Sequence, residues 1–141
     1  MAESGFDLPP KAPPEVVAER HELADEVCRQ LTLAGLPAYR ADLDGGTNGR
    51  AGAAVHIEPF VEGGVFVDWE TDEELASPAL HLFAQGIDYE NPPSAVRHFE
   101  DVLTFMQAAL MGILASAGFQ VEEPDGHAHG SLVQVRSARK P

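Results

Sequence analysis

Apolar residues recur along the chain first with a helical period, then with a strand period, and then helically again. Val16, Leu23, Val27, Leu31 and Ala34 are spaced three, four or seven apart, with Glu15, Glu19, Glu22, Asp25 and Glu26 mostly on the other side. This pattern predicts an amphipathic helix opened by Pro14 or Glu15 and closed by Gly35. An Asp25–Arg29 pair is expected to support it at i,i+4. Three strands are expected next, at residues 38–43, 53–60 and 65–70. In the second, Val55, Ile57 and Pro59 point one way and His56, Glu58 and Phe60 the other. Val65, Val67 and Trp69 form the next apolar row. Facing residues must share a face, so the spacing predicts a three-residue turn at 62–64, with Ile57 opposite Trp69 and Val61 opposite Val65.

Residues 71–93 read less clearly. Thr71-Asp-Glu-Glu74 has the form of a capping box, Pro78 interrupts the helical pattern, and a second short helix is expected over residues 80–85. A long helix is expected at residues 94–117, about 36 Å from end to end, with Gly118 as its stop. Val96, Phe99, Leu103, Met106, Leu110, Ile113 and Ala117 form its main apolar stripe. Val102, Phe105, Ala109, Gly112 and Ser116 form a second. Two stripes predict a helix buried on nearly all sides. Strands at 119–123 and 132–136 close the series. The expectation is an α+β fold in two layers, with an antiparallel sheet of about five strands packed against the first helix and the long helix. One domain is expected over residues 15–136, with a flexible Pro-rich arm at 1–14 and a frayed tail at 137–141.

Composition narrows the function. The 141 residues include 9 Lys and Arg against 23 Asp and Glu, a net charge of −14. Helix, three strands and helix occur in the order of the double-stranded-RNA-binding domain, but the basic loop and helix-end lysines that grip phosphate are missing. Neither nucleic acid nor anionic lipid is an expected partner. The stretch 102–119 is uncharged, yet it contains Thr104, Gln107, Ser116 and two glycines and has no basic flank, so no membrane span is expected. The N-terminus lacks the cationic start and apolar run of a secretory signal, which makes the cytoplasm the expected location.

Catalytic signatures are sparse, and neither catalysis nor a cofactor is expected. Cys28 has no second cysteine to pair with and lies beside Asp25 and Glu26, which disfavour a thiolate. The glycine-rich run at 45–52 lacks the Lys-Ser/Thr ending and following helix of a P-loop. Acids dominate the middle instead. Between Arg50 and Arg97 there is no Lys or Arg, but there are Glu58, Glu62, Asp68, Glu70, Asp72, Glu73, Glu74, Asp88 and Glu90. The expected hairpin places His56 opposite Glu70 and Glu58 opposite Asp68. Like charges so placed call for a neutralising group: Arg40, a divalent metal, or a basic segment of a partner.

Two functional readings follow. The leading one is a non-catalytic protein-binding module, adaptor or chaperone-like. Glu58, Glu62, Asp68, Glu70, Glu73 and Glu74 are its partner surface, and a homodimer forms through the small-residue seam Ala108, Gly112 and Ser116. In size, charge and class the chain resembles small acidic secretion chaperones. The alternative is a metal- or small-ligand-binding protein, or an enzyme, using His56, Glu58, Asp68 and Glu70, with His127 and His129 as further possible ligands.

Overall fold

A computed structural model describes residues 10–43, 50–61, 63–124 and 132–137. The fold is α+β, with three helices and a five-stranded mixed sheet. The elements are α1 (Pro14–Leu33), β1 (Ala38–Arg40), β2 (Gly52–Glu58), β3 (Gly64–Glu70), α2 (Glu73–Gln85), α3 (Ser94–Ser116), β4 (Gln120–Glu122) and β5 (Val133–Ser137). The strand order is β1-β2-β3-β5-β4. The β2–β3, β3–β5 and β4–β5 pairs are antiparallel, as expected, but β1 runs parallel to β2. A three-residue strand needs only a short return. The stretch from residue 41 to residue 51, at about 3.3 Å per residue, is long enough to supply one. Gly52 makes the start of β2 possible, because it sits at φ 129° and a Cβ there would lie 2.8 Å from Pro37 O. Both edge strands are only three residues long, which limits the unpaired backbone they present.

Helices α1 and α3 pack on one side of the sheet. The inner row contains Ala53 and Val55 of β2, Val65 and Val67 of β3, and Val133 and Val135 of β5. These meet Ala24, Val27 and Leu31 of α1 and Leu110 and Leu114 of α3. Both helices end as their glycines predict. At α1 the Gly35 N–H bonds Thr32 O and the Leu36 N–H bonds Leu31 O. At α3 the Gly118 N–H bonds Ala115 O and the Phe119 N–H bonds Leu114 O. Both glycines have positive φ, so each end is a Schellman turn. In the second, the buried Phe119 packs in the same core as Leu114.

The β2–β3 register differs from the expected one by four residues. Ile57 faces Val65, Val55 faces Val67 and Ala53 faces Trp69. The shift is even, so every side chain keeps its face. The cause lies in residues 59–61, which leave the ladder and pair elsewhere. Pro59 has no N–H to offer β3, and its carbonyl accepts from the Ala12 N–H at 2.8 Å. The Val61 N–H bonds Pro10 O at 2.9 Å. Arg20 of α1 donates to Glu58 O and Phe60 O, each at 2.7 Å. Residues 10–12, at the inner end of the expected arm, thus lie along the hairpin loop.

Residues 73–85 form one helix where two short ones were expected. Pro78 removes the bond to Glu74 O. The helix continues through it because α2 packs on α3 and buries Ala79 completely. Its N-cap is Asp72, whose carboxylate accepts from the Glu74 N–H at 2.8 Å.

The expectation that the long helix is buried on nearly all sides does not hold. Val96, Gln107, Leu110 and Leu114 are buried, while Phe105 is 69% exposed and Ala108, Gly112, Ala115 and Ser116 also face solvent. The sheet and α1 cover one stripe and α2 packs along the helix as well. Among the described residues nothing lies over the remaining face. By length and composition α3 could also cross a membrane.

Candidate partner-binding surfaces

The acidic residues divide among several places. Glu73 and Glu74 are exposed in the first turn of α2, where carboxylates complement the helix dipole. Glu58, Asp68 and Glu70 are on the outer face of the sheet, away from α1 and α3, together with His56. Glu62, His127 and His129 lie outside the described residues.

The register separates the four sheet residues that the sequence placed in facing pairs. His56 faces Phe66, with ring centroids 5.6 Å apart and planes 20° from parallel. Glu58 faces Gly64, Asp68 faces Ala54 and Glu70 faces Gly52. The expected His56–Glu70 and Glu58–Asp68 oppositions are therefore replaced by acids set against small residues. Among the described residues, no group of three or more His, Cys, Asp or Glu side chains is placed to hold a metal.

Asp68 and Glu70 alternate along β3 and project together. Burial, and then the neighbouring Asp68 charge, raise the Glu70 carboxyl above its ordinary range. Tyr39 of β1 lies buried near them. Its hydroxyl donates to Arg50 O at 2.9 Å, and the Arg50 guanidinium sits 4.3 Å from its ring centroid. Burial and the Glu70 charge raise the Tyr39 hydroxyl, outweighing the opposing effect of Arg50.

Arg40 does not serve this acidic face, as the sequence allowed. Its side chain points to α1 and is buried in a complete set of acceptors. Nη1 donates to Asp25 Oδ1 at 2.6 Å. Nε and Nη2 donate to the Asp42 carboxylate at 3.0 and 2.9 Å. Nη2 also lies 2.8 Å from His21 Nδ1, which accepts. Burial alone would raise the Asp42 carboxyl, but the Arg40 hydrogen bond and charge hold it below its usual value. Asp25 is thus taken by Arg40, and Arg29 instead lies 3.7 Å from Glu26.

Two glutamines were not singled out by the sequence. Gln107 on α3 is 9% exposed and donates from Nε2 to Leu132 O at 2.9 Å. Gln134 in the middle of β5 is also 9% exposed, faces outward beside Phe66, and its carboxamide forms no hydrogen bond among the described residues. Alternation through Val133, Gln134 and Val135 marks Gln134 as outward-pointing. No local pattern signals that an outward glutamine would be buried.

The second surface is the open face of α3. From Thr104 to Ser116 this helix has no ionisable residue. Phe105 projects from it, and Ala108, Gly112 and Ser116 follow on the exposed side. A Cβ added at Gly112 would meet nothing within 4 Å. The Ser116 hydroxyl bonds Ile113 O at 2.9 Å, so it carries no unmet donor into a contact. Comparison with protein-family models, with curated proteins and with solved structures finds no match to this chain in any of the three.

Proposed function

We propose that the protein is a non-catalytic protein-binding module of the cytoplasm, adaptor or chaperone-like, that acts as a homodimer and presents an acidic face to its partner. The observation that carries the reading is the open face of α3. It combines an exposed Phe105, the small residues Ala108, Gly112 and Ser116, and no charge between Thr104 and Ser116. Two copies bearing −14 each repel over most of their surfaces. An uncharged face is where they approach at least electrostatic cost, and small residues allow the helices to come close. The acids Glu58, Asp68, Glu70, Glu73 and Glu74 then stay outside the dimer contact, available to a partner of opposite charge.

Light scattering at micromolar concentration tests the dimer. The wild-type chain is expected at twice the monomer mass, and Gly112→Leu at the monomer mass. The new side chain has open space in the monomer, and replacing a mid-helix glycine by leucine favours the helix by about 0.5–1 kcal/mol. Loss of the dimer would therefore report on the contact and not on the fold. A wild-type chain that is monomeric at every concentration removes the dimer from the proposal.

A further inference from the structure

We infer that two copies of the chain pack α3 against α3 antiparallel, with Phe105 of each copy seated in the gap over Gly112 and Ser116 of the other. The inference rests on the homodimer of the proposed function and gives it an orientation and an anchoring side chain. An 18-residue stretch of α3 is apolar enough to cross a membrane, yet only 11% of that stretch is buried. A bilayer is a poor cover for it. Leu110 and Leu114 of the same helix are locked in the core against the sheet, and the residues beyond it include Glu122 and Glu123 in place of a basic anchor. A second copy of the same face is the cover that its shape and charge fit.

The shape is self-complementary. Seven and eleven residues are close to two and three full turns, so Phe105, Gly112 and Ser116 lie within about 20° of one line along the helix. Phe105 projects with 69% of its surface exposed. Gly112 has no side chain, and a Cβ there would meet nothing within 4 Å. Ser116 is small and exposed, and its hydroxyl is already bonded to Ile113 O. One face thus bears a ring and, about 14 Å further along, an open gap. A two-fold contact between identical surfaces needs this property, since each copy must supply what the other lacks.

Orientation follows from the same line of residues. With the two-fold axis crossing the helices midway between Phe105 and the gap, both rings enter both gaps. A parallel pair instead sets ring against ring and holds the helices apart where small residues would let them close to about 8 Å. Charge favours the same arrangement. Asp101 is exposed one turn before Phe105. Parallel packing brings the two Asp101 carboxylates side by side. Antiparallel packing sets them about 26 Å apart along the helices, well beyond the screening length of about 8 Å at physiological salt.

Disulfide trapping in the full chain tests the orientation. Phe105→Cys and Ser116→Cys are each made in a Cys28→Ser background, then mixed and oxidised in air. The mixed pair is expected to cross-link about tenfold faster than either variant alone, because antiparallel packing brings these positions within the ~7 Å a disulfide needs and leaves like positions about 14 and 20 Å apart. With Cys28 untouched, Phe105→Ala should weaken the dimer about a hundredfold in a light-scattering dilution series, since two rings per dimer return to water. Either cysteine variant cross-linking with itself as fast as with the other would make the pair parallel. A Phe105→Ala dimer as tight as the wild type would place the contact elsewhere. Each of these results overturns the inference while leaving the homodimer standing, whereas a wild-type chain that scatters as a monomer removes both.

Discussion

Gln107 and Gln134 are equally buried, yet only one of them is satisfied. Gln107 lies on the side of the sheet covered by helices and is bonded to Leu132 O. Gln134 lies on the opposite side without a partner among the described residues. The same contrast holds for the charges. Arg40, on the covered side, meets Asp25, Asp42 and His21. On the other side Glu70 meets only the like charge of Asp68 and the effect of burial. Polar groups under α1 and α3 serve the fold. On the outer face the polar groups are matched unevenly: Arg136 is held by Glu122 and the Tyr39 hydroxyl by Arg50 O, whereas Glu70 and Gln134 have no such match among the described residues.

Several measurements can break this contrast. The largest expected effect is on Arg40. Arg40→Met removes the bidentate hydrogen bonds to the partly exposed Asp42 side chain and should cost about 2 kcal/mol. Asp25, being mostly exposed, adds little. Urea unfolding measures the change, and a loss below about 1 kcal/mol would mean that the cluster behaves as a solvated surface pair. Next comes the glutamine pair. Gln107→Leu strands the Leu132 carbonyl and should cost about 1–2 kcal/mol, whereas Gln134→Met should be neutral or stabilising by up to about 1 kcal/mol. Equal losses at the two sites would end the distinction between the faces.

The smallest effect is on the pH dependence, and it has opposite signs on the two sides. Asp42 titrates below its ordinary 3.8 in the folded chain. Its contribution is present above pH 3.8 and is lost as pH falls through the lower folded value. Glu70 titrates above its ordinary 4.5. The folded form takes up that proton more readily than the unfolded chain. Stability from this site therefore rises as pH falls through the raised value, and the gain is complete below 4.5. Asp42→Asn should flatten the acid limb of the stability curve. Glu70→Gln should remove the rise just above pH 4.5 and stabilise the neutral form. Chemical denaturation at a series of pH values separates the two.

The faces of the strands were legible in the sequence, because alternation at Val55 and Ile57 and at Val65, Val67 and Trp69 depends only on the pleat. Hairpin register was not. It depends on Pro10, Ala12 and Arg20, more than 35 residues away in the chain, which take up the hydrogen bonds of residues 59–61. Gly63 contributes locally, since a Cβ there would run into Glu58 O. The helix stops at Gly35 and Gly118 were legible because a Schellman turn is a local device. The open face of α3 was not, since two apolar stripes do not reveal whether the chain has enough partners to cover both. Gln134 was unreadable as a buried group for a similar reason. Its address on the outer row is local, but its burial comes from its surroundings.

The strand order also bears on the timing of assembly. The last strand in the described chain, β5, enters between β3 and β4. During synthesis from the N-terminus, β1, β2 and β3 can pair early and α1 can settle on them. β4 then emerges with no neighbour to bond until β5 follows it. Until that moment the outer edge of β3 is unpaired, and Val65 and Val67 lack the cover of Val133 and Val135. The nascent sheet thus passes through a stage with an exposed, apolar edge in its middle, which is the geometry most prone to pairing with the wrong chain.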